Sequence, residues 1–487
     1  MDRPPELPIT EEDWKQTPPT VQAEVIALWQ QVNVLQAQVE ALQAEIAQLR
    51  EQLGRNSQNS SKPPSSDGPE VPPRPRRAKT GRKAGGQKGH KGHGRRLKAV
   101  EEVDRVVNIK PVCCGECGTL LMGDDQQPAR HQVTELPRIE PVVTEYRLHS
   151  LKCIGCGAKT KSEWPADMPR GSFGPCVQAT VGYLAGRMGT SQRDVEETME
   201  SVFRVEMGLG TIPALEQAVS KAVAEPVEQA QAYVQRQAVV NMDETSWRQK
   251  GKRVWLWEAV TALVTVFVII GSRSQKAAQQ VIGADFEGLV GSDRCWAYNW
   301  LEVLQRQLCW AHLKRDFQAF VDRGGESKYI GCALLECVQQ MFELWYRLRD
   351  ASLSRTDFQT KMSPIQRRVG ELLRQGTQLS HAKTRRTCKN ILKLEYALWA
   401  FVYLPDVEPT NNIAERLLRR AVLWRRRSFG TQSETGSRFV ERMLTTVTTL
   451  RQQERDVLDY LTQACAATIR GDKSPSLLPN PSVLNVE

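Results

Sequence analysis

The segment VVNMDETSW, residues 239–247, ends an apolar run on an aspartate, Asp243. From residue 237 the composition predicts three strands (QAVVNMD, RVWLWEAVT and LVTVFVIIGSRS), a helix (SQKAAQQVIG) and a fourth strand (EGLVGSD). The fourth strand also ends on an aspartate, Asp293. If that strand lies beside the first, the two carboxylates are neighbours, and like charges are costly there unless a cation neutralises them. The sequence therefore predicts a divalent metal site at this edge of the sheet.

A third carboxylate is expected from the helix predicted in PTNNIAERLLRRAVLWRRRSFG, residues 409–430. Asn411 or Asn412 can cap this helix, and Glu415 lies in its first turn. The apolar stripe that would pack on the sheet is Ile413, Leu417, Ala421 and Trp424. This packing would bring Glu415 towards the strand ends.

Two other carboxylates compete with Glu415 for the third position. Asp406 and Glu408 precede Pro409 in what the sequence predicts to be a loop, so Glu415 is preferred. Hard oxygen ligands suit a pair of Mg²⁺ ions, or Mn²⁺, held about 4 Å apart to clamp the attacking and leaving oxygens of a phosphodiester. The expected ligands are Asp243, Asp293 and Glu415.

Basic residues are concentrated in two segments of a chain whose net charge is +10 and whose pI is near 9.0. Residues 71–98 hold eleven Lys or Arg and no acid, inside a Ser-, Pro- and Gly-rich linker at 54–100 that is predicted to be disordered. The alternative is a solvated tail that keeps the protein soluble. Six arginines lie between residues 416 and 427. The residues expected to bind double-stranded DNA are Arg82, Lys83, Lys88, Lys91, Arg416, Arg419, Arg420, Arg425, Arg426 and Arg427.

The compartment is predicted from what the sequence lacks. The N-terminus MDRPPELPITEEDW has no basic-then-apolar layout of a secretory signal, so a cytoplasmic, nucleoid-associated protein is expected. The longest apolar run, ALVTVFVII, is too short to span a bilayer, and no membrane role is expected. Twelve cysteines in such a chain indicate reduced thiols or a metal site rather than disulfides.

Residues 21–53 carry a heptad pattern typical of a coiled coil. Its a positions are Val25, Val32, Val39, Ile46 and Leu53, and its d positions are Leu28, Leu35, Leu42 and Leu49. β-Branched residues at a with Leu at d favour a parallel dimer. The alternative is one amphipathic helix that packs on its own chain. A dimer or higher oligomer is the expectation.

Paired cysteines predict a small zinc ribbon at residues 105–165. The two C-x-x-C pairs are Cys114 with Cys117 and Cys153 with Cys156, each followed by glycine. Four thiolates can enclose a structural Zn²⁺ ion in a tetrahedron, although the neighbouring Cys113 could compete as a ligand. Redox dithiols or scattered buried thiols are the alternatives. The intervening RHQVTELPRIEPVVTEYRLHSLKC alternates in the way that strands do.

Two further regions are predicted to be helical. Residues 170–232 indicate helices with a turn at Gly189–Thr190–Ser191 and Ser191 as an N-cap, which fits a helix-turn-helix or an ordinary helical hairpin. Residues 314–405 show helical spacing without strand alternation. The tail at 470–487 is predicted to be disordered.

Several motifs together resemble one family of proteins. NMDETSW, GSDRCWAYN, LCWAHLKRDF and TNNIAERLLRRAVLWRRRSFGTQSETG resemble the DDE transposases of IS66-type bacterial insertion sequences, and RNSQNSSKPPSSDGP and GRKAGGQKGHKGHGR resemble their N-terminal region. The resemblance implies a catalytic triad of Asp243, Asp293 and Glu415. It also implies a ribonuclease-H-like core at 235–465 with a helical insertion between the second and third acids.

The expected fold is therefore multidomain: an N-terminal coiled coil, a small zinc ribbon, a helical DNA-binding region, and an α/β ribonuclease-H-like catalytic core with an all-helical insertion. Cys309 and His312 form a C-x-x-H similar to one that many DDE transposases carry after the second acid. This pair could ligate a metal, but a packing or DNA-positioning role is favoured because no second pair is in view. The family usually has Asp where this chain has Thr410, which would weaken metal affinity or capping.

The expected function is transposition: binding of the element's terminal inverted repeats, metal-dependent cleavage, and strand transfer into target DNA. A catalytically decayed DNA-binding protein that regulates its element is one rival. A structure-specific nuclease is another rival, although it would hardly need the coiled coil, the basic linker, the zinc ribbon and the helical insertion together. Companion proteins encoded by the same element are expected as further partners.

Overall fold

The computed structural model describes residues 2–4, 7–60, 96–165 and 167–480. Four residues of the basic linker that were expected to bind DNA lie outside the described residues: Arg82, Lys83, Lys88 and Lys91. The chain divides into two compact units: the larger comprises Met1–Pro72, Tyr146–Thr198 and Met207–Glu487, and the smaller comprises Pro73–Glu145 and Met199–Glu206. In the described part of the chain, no helix has the length and apolar character that crossing a membrane requires.

The regular elements are numbered in chain order. The strands are β1 (Ser150–Lys152), β2 (Lys159–Lys161), β3 (Val239–Gln249), β4 (Lys252–Val260), β5 (Thr265–Ile270), β6 (Leu289–Ser292) and β7 (Arg306–Leu308). The helices are α1 (Glu11–Gln16), α2 (Pro19–Leu53), α3 (Pro175–Tyr183), α4 (Gln192–Ser201), α5 (Thr211–Ala222), α6 (Ala224–Val234), α7 (Gln275–Ile282), α8 (Trp310–Arg323), α9 (Gly325–Arg349), α10 (Arg355–Gly376), α11 (Ala382–Leu392), α12 (Ala400–Tyr403), α13 (Asn412–Ser428), α14 (Glu434–Gln452) and α15 (Val457–Arg470).

A mixed five-stranded sheet forms the centre of the larger unit, in the order β5-β4-β3-β6-β7. Within this sheet, β3 pairs antiparallel with β4, and β4 pairs antiparallel with β5. Strand β6 lies parallel to β3, with Asn241 opposite Gly291. The predicted neighbourhood of the first and fourth strands is therefore confirmed. The fifth strand, β7, was not predicted because its three buried residues are too few to show a periodic pattern.

Helices cover both faces of this sheet, and the side chains of β3 alternate between them. Val240 and Met242 face a core that includes α6 and α7. Trp247 faces the other core, which contains residues of α13 and α14 such as Leu418 and Val440. Because side chains alternate along a strand, Asp243 lies on the same face as Trp247. Asp243 is therefore on the face that α13, the helix of Glu415, covers.

Helix α14 closes the outer edge of the sheet with side chains rather than with another strand. Backbone N–H groups of β5 donate to acceptors on α14 in the pairs Thr265 with Thr449 Oγ1 (3.1 Å), Phe267 with Thr445 Oγ1 (3.0 Å) and Ile269 with Glu441 Oε1. The spacing matches, since four helical residues advance about 6.0 Å and two strand residues about 6.7 Å. The free donors of this edge are thereby satisfied.

The helical insertion begins directly after β7, at Trp310, slightly earlier than the predicted residue 314. Helices α8 to α12 bury one continuous apolar core. Trp310 joins this core to the sheet: its ring centroid lies 4.9 Å from that of Trp399, and its indole N–H donates to Leu398 O at 2.8 Å. The all-helical character predicted for this region is present through residue 403.

The N-terminal helix α2 covers the whole predicted heptad segment in one unbroken run of 35 residues. Its d positions are exposed in the single chain, with Leu28 at 61% and Leu42 at 57%. At the C-terminal end of α2, Glu51 forms ion pairs with Arg323 (3.2 Å) and Lys383 of the insertion. The pairing of two such helices as a coiled coil stays a prediction.

The cysteine pairs lie in two turns of the same design. The N–H of Cys114 donates to Thr119 O at 2.8 Å and that of Cys153 to Ala158 O at 2.7 Å, and Gly118 and Gly157 both have φ near +74°. The strand prediction for residues 130–149 is wrong, because the first described strand, β1, begins only at Ser150 and pairs with β2. The two pairs belong to different compact units, so the four-thiolate zinc site stays a prediction.

Helices α3 to α6 occupy the region predicted to be helical at 170–232, with a π-helical turn at Leu184–Met188 after α3. The predicted turn is present, because Gly189 has φ +66° and Ser191 Oγ accepts the N–H of Asp194 at 3.3 Å. Among the described residues, Gly186 faces Met443 so closely that an added Cβ would lie 2.7 Å from it. A DNA-reading role for these helices stays a prediction.

The tail differs from the prediction of disorder over 470–487. Leu477 is fully buried, Gln453 Nε2 donates to its carbonyl at 2.9 Å, and the Tyr460 hydroxyl donates to Pro475 O at 2.7 Å. The apolar residues within SPSLLP therefore dock on α14 and α15, a contact that composition alone does not indicate. Residues 481–487 lie outside the described residues.

A titration prediction arises at Glu216 of α5. Burial raises the pKa of its carboxyl to about 7 from the usual 4.5, although a hydrogen bond with Gln192 lowers it. Between these two values the folded protein keeps a proton that the unfolded chain releases, so the free energy of unfolding falls as pH rises through this window. Glu216→Gln lacks this loss. We expect the stability of the variant relative to wild type to rise from pH 4.5 to 7 and then level off, measured as urea-unfolding midpoints; a pH-independent difference would contradict the assignment.

Candidate active site

Asp243 and Asp293 come from the neighbouring strands β3 and β6, but the prediction that the first strand ends on Asp243 is wrong, because β3 continues to Gln249 in its pairing with β4. Asp293 directly follows β6, two residues beyond Gly291, and Asp243 lies two residues beyond its partner Asn241 on β3. Burial raises the pKa of Asp243 well above its usual value, and the charges of Glu244 and Asp293 raise it further. The two acids therefore repel each other in a partly dry environment, which is the condition under which carboxylates take up a cation.

A further acid, Glu258, was missed by the sequence interpretation. It lies opposite Asp243 in the β3–β4 pairing and is fully buried. Neither of its carboxylate oxygens has a hydrogen-bond partner, and burial followed by the charge of Asp243 raises its pKa well above the usual value. The signal was a single Glu inside the apolar run RVWLWEAVT, where an acid has no structural reason to be. Glu258 enlarges the acidic group around Asp243.

The other missed acid, Glu244, points to the opposite face of the sheet. Its buried carboxylate accepts hydrogen bonds from Arg273 Nε at 2.7 Å and from the Tyr298 hydroxyl. A carboxylate with both a guanidinium and a phenol as partners is satisfied without a metal. Glu244 therefore has a structural role on the face of the sheet opposite to Asp243.

Glu415 lies in the first turn of α13, on the face of the sheet that carries Asp243. Arg315 Nη2 is 3.6 Å from Glu415 Oε2, and His312 Nδ1 is 3.5 Å from Glu415 Oε1. Both basic residues come from α8, the first helix of the insertion. The insertion thus supplies the immediate surroundings of the third acid.

A ring of hydrogen bonds, here named the brace, fixes the elements that carry all three acids. Asn411 Nδ2 donates to Met242 O at 2.7 Å, and the Asn411 N–H donates to Cys309 Sγ at 3.2 Å. The Cys309 N–H donates to Ser292 O at 2.9 Å, and β6 pairs with β3 to close the ring. Met242 and Ser292 each precede an aspartate, and Glu415 follows Asn411 by one helical turn. The brace therefore sets the spacing of the three acids.

Cys309 and His312 lie with Glu415 rather than apart from the acids. Within the described residues, these three form the group of potential metal ligands whose ligand atoms all lie within 4.8 Å of one another. Burial opposes the charged imidazole, but a hydrogen bond with Cys309 and the charges of Cys309, Asp293 and Glu415 raise the pKa of His312 to about 9. The C-x-x-H motif is therefore part of the acidic site.

Two predicted details of α13 are corrected by the structure. Asn411 is the N-cap residue, but its side chain makes no capping bond because it donates to Met242 in the brace. The buried stripe is Ala414, Leu418 and Ala421 rather than one through Ile413 and Leu417. Small Ala414 lets the first turn approach the sheet, and the stripe is rotated by about one residue.

The six arginines of α13 differ in their surroundings. Arg425 is tied to β3, where it donates to Thr245 Oγ1 at 2.9 Å and Ser246 Oγ at 2.8 Å, whereas Arg416 and Arg419 are exposed. Arg420 and Arg427 donate to backbone carbonyls of the π-helical turn at Leu184–Met188. A cavity of about 420 Å³ beside β3 is lined by Ser246, Trp247, Arg248, Arg253, Arg425, Arg426 and Phe429.

The donor set suits hard divalent cations on the Asp243 side of the site. Buried carboxylate oxygens without hydrogen-bond partners, which occur at Glu258 and Glu415, are costly unless a cation reaches them. Asp406 and Glu408, the rival ligands, lie in a loop, and Glu408 is ion-paired with Arg349 at 3.7 Å. The arrangement therefore favours Glu415 as the third acid.

Comparisons with known proteins agree with this geometry. A family model described as "Transposase IS66 family" matches residues 170–438, which is more than half of the chain. A second model, described as "Family of unknown function (DUF6444)", matches residues 10–96. The "Uncharacterized protein y4qI" of Sinorhizobium fredii (strain NBRC 101917 / NGR234) is 29% identical over 206 residues, which cover 39% of this chain and 37% of that protein. The chain thus spans well under half the length of this relative.

Proposed function

Because the chain belongs to the IS66 family of transposases, we propose that it is a DDE transposase that cleaves DNA at the terminal inverted repeats of its element and joins the freed ends to target DNA. The observation that carries this proposal is the brace, which holds Asp243, Asp293 and Glu415 at one edge of the sheet. The strand order and the helical insertion before Glu415 support a ribonuclease-H-like core.

The three acids would hold two Mg²⁺ ions, or Mn²⁺, and the residues present fit this task. When bound, these ions supply an activated water and neutralise charge on the phosphodiester. Asp243 and Asp293 come from the parallel strands β3 and β6, and Glu415, in the first turn of α13, would complete the site. Glu258 lies beside Asp243 with both carboxyl oxygens free of hydrogen bonds, and a cation bound at Asp243 would offset the burial and repulsion that raise the pKa of Glu258.

The reaction needs two displacements at phosphorus and no covalent enzyme intermediate. In the first, water adds to the phosphorus at the element's end, the bond to the 3′ oxygen breaks, and a 3′ hydroxyl and a 5′ phosphate result. In the second, that 3′ hydroxyl loses its proton and attacks a target phosphodiester, whose own 3′ oxygen leaves and takes up a proton. Arg416 and Arg419, exposed on the helix of Glu415, would hold the DNA backbone beside the acids.

The remaining parts of the chain have proposed roles in DNA binding and assembly. The basic linker would bind DNA phosphates through Arg82, Lys83, Lys88 and Lys91. The helices at 170–232 would contact the DNA bases. Four cysteines, Cys114, Cys117, Cys153 and Cys156, would hold a structural Zn²⁺. Exposed d positions of α2 would pair two copies of the chain. Companion proteins of the element remain proposed partners in the bacterial cytoplasm.

The test is an assay of the full-length protein on DNA duplexes that end in the terminal repeats flanking its gene. Binding, cleavage and strand joining are measured separately with Mg²⁺, with Mn²⁺ and with Ca²⁺, and duplexes with scrambled ends are the control. We expect cleavage and joining that need the correct ends and Mg²⁺ or Mn²⁺. Binding without cleavage or joining, also in the presence of the companion proteins, would favour a decayed regulator, and cleavage without joining would favour a nuclease.

A further inference from the structure

We propose that Cys309, His312 and Glu415 form a binding site for a transition-metal ion such as Zn²⁺, separate from the Mg²⁺ pair but sharing Glu415 with it. The three ligand atoms lie within 4.8 Å of one another, and the described residues contain no second such group. The site lies where the insertion begins, between α8 and the first turn of α13.

The distances are those of a site that needs little movement to close. His312 Nδ1 and Glu415 Oε1 are 3.5 Å apart. Two ligands of a tetrahedral zinc ion, with bonds of about 2.0–2.1 Å, lie about 3.3–3.4 Å apart. A thiolate at about 2.3 Å from the ion would lie about 3.6 Å from the imidazole nitrogen. The imidazole and carboxylate are therefore already spaced as ligands of one ion.

The same two atoms form an ion pair with each other but make no hydrogen bond. His312 Nδ1 and Glu415 Oε1 are both buried and lack a hydrogen-bond partner. A buried polar atom without a partner costs on the order of 1–3 kcal/mol, so a site that leaves two of them facing each other favours a ligand between them. These orphaned atoms are evidence for the site that is independent of the ligand spacing.

Cys309 is prepared as a ligand by its surroundings. Its side chain is only 2% exposed, and its sulfur accepts the N–H of Asn411 at 3.2 Å within the brace. A backbone N–H aimed at sulfur stabilises negative charge on it, which a metal-bound thiolate carries. Cys309 is also fixed through its own N–H to Ser292 O at 2.9 Å. The sulfur position is therefore set by the sheet.

The donor types decide which metal the site takes. A thiolate and an imidazole favour Zn²⁺ or Co²⁺, whereas Mg²⁺ demands oxygen ligands. Three protein ligands leave a fourth tetrahedral position for water. Arg315 lies 3.6 Å from Glu415 Oε2, so this guanidinium holds the other oxygen of the carboxylate.

Sharing Glu415 has a consequence that rests on the proposed transposase function. An ion at Cys309 and His312 withdraws Oε1 of Glu415 from the Mg²⁺ pair, so Zn²⁺ would inhibit Mg²⁺-dependent cleavage. The element's activity would then depend on the ratio of the two metals. The alternative is a simple ion pair between His312 and Glu415, which needs no metal and gives no such competition.

The test counts Co²⁺ bound by the full-length, metal-stripped protein in excess Mg²⁺ and records its thiolate-to-metal absorption. Cys309→Ser keeps an acceptor for the Asn411 N–H, and Glu415→Gln keeps the shape of the helix turn. Cys332→Ser, an exposed cysteine of α9, is the matched control. Circular dichroism verifies that each variant is folded. If Cys309→Ser does not fold, the comparison of wild type with Glu415→Gln tests the proposal.

We expect wild type and Cys332→Ser to bind one Co²⁺ more than either site variant, or to bind it more than about tenfold tighter. Any zinc held by the four paired cysteines contributes equally to all four proteins and cancels. Equal stoichiometry and equal affinity in wild type and both site variants would overturn the proposal. In the cleavage assay, Zn²⁺ inhibition should be relieved in Cys309→Ser. A wild type that never cleaves refutes the proposed function, while the Co²⁺ count still decides the site.

Discussion

Asp243→Asn is expected to abolish cleavage and joining while making the metal-free protein more stable. The carboxylate lies in a buried setting among Glu244, Asp293 and, across the strand, Glu258, so removal of its charge relieves repulsion. We expect a loss of cleavage rate of at least about 1000-fold, equivalent to about 4 kcal/mol. The expected gain in the free energy of unfolding is on the order of 1 kcal/mol, as is common when a functional acid is removed.

The cleavage rate is expected to fall while the free energy of unfolding rises. This combination distinguishes a lost catalytic group from a damaged fold, which would lower both. Glu408→Gln is the matched control, since this exposed acid near the same helix was one of the two rival ligands and is ion-paired with Arg349. We expect it to change neither quantity appreciably. Cleavage rates with Mg²⁺ and the midpoint of urea unfolding without metal supply the two measurements. Retained cleavage in Asp243→Asn, or loss in Glu408→Gln, would refute the assignment of the acids.

Trp310→Ala is expected to cost about 3–5 kcal/mol of stability, the range for deletion of a large aromatic side chain from a core. Trp310 is fully buried, lies against Trp399 and donates its indole N–H to Leu398 O at 2.8 Å. Its removal leaves a cavity at the junction of the insertion and the sheet, and Leu398 O keeps only its hydrogen bond from Gln307 Nε2 at 3.2 Å. Because Cys309 of the brace precedes it, we also expect cleavage to fall.

Trp296→Ala is the control for this substitution, because its side chain is 55% exposed. We expect it to change the free energy of unfolding by less than about 1 kcal/mol. The measurement is the first transition in urea, followed by circular dichroism, with limited proteolysis to identify the segment that opens. Equal transitions in the two variants would mean that Trp310 does not join the insertion to the core.

The sequence identified the three acids from local patterns, although β3 continues six residues beyond Asp243 instead of ending there. Asp243 and Asp293 each end an apolar run, and Glu415 begins an amphipathic helix, so local patterns placed them correctly on their elements. Their convergence follows from a parallel pairing of β3 and β6, which the strand-helix-strand order already favours. The sheet and the helical insertion were predictable for the same reason.

The features that were missed depend on contacts between distant residues. Glu258 lies inside a strand, where only the pairing with β3 reveals that it adjoins Asp243. His312 meets Glu415 across about a hundred positions of intervening helices, and no local pattern encodes that contact. Asn411 was one of two residues expected to cap α13, because asparagine does so locally, but its side chain donates to Met242 O instead.

The side-chain closure of β5 by α14 limits how copies of this protein can associate. An exposed strand edge is a template on which another chain can add a strand, and it is a common origin of aggregation. Here the outward N–H groups of β5 are already occupied by Thr445, Thr449 and Glu441. Continuation of the sheet from one molecule into the next is therefore blocked at this edge. Two copies of the chain therefore cannot join their sheets through β5, which leaves the exposed apolar positions of α2 as a surface for reversible pairing.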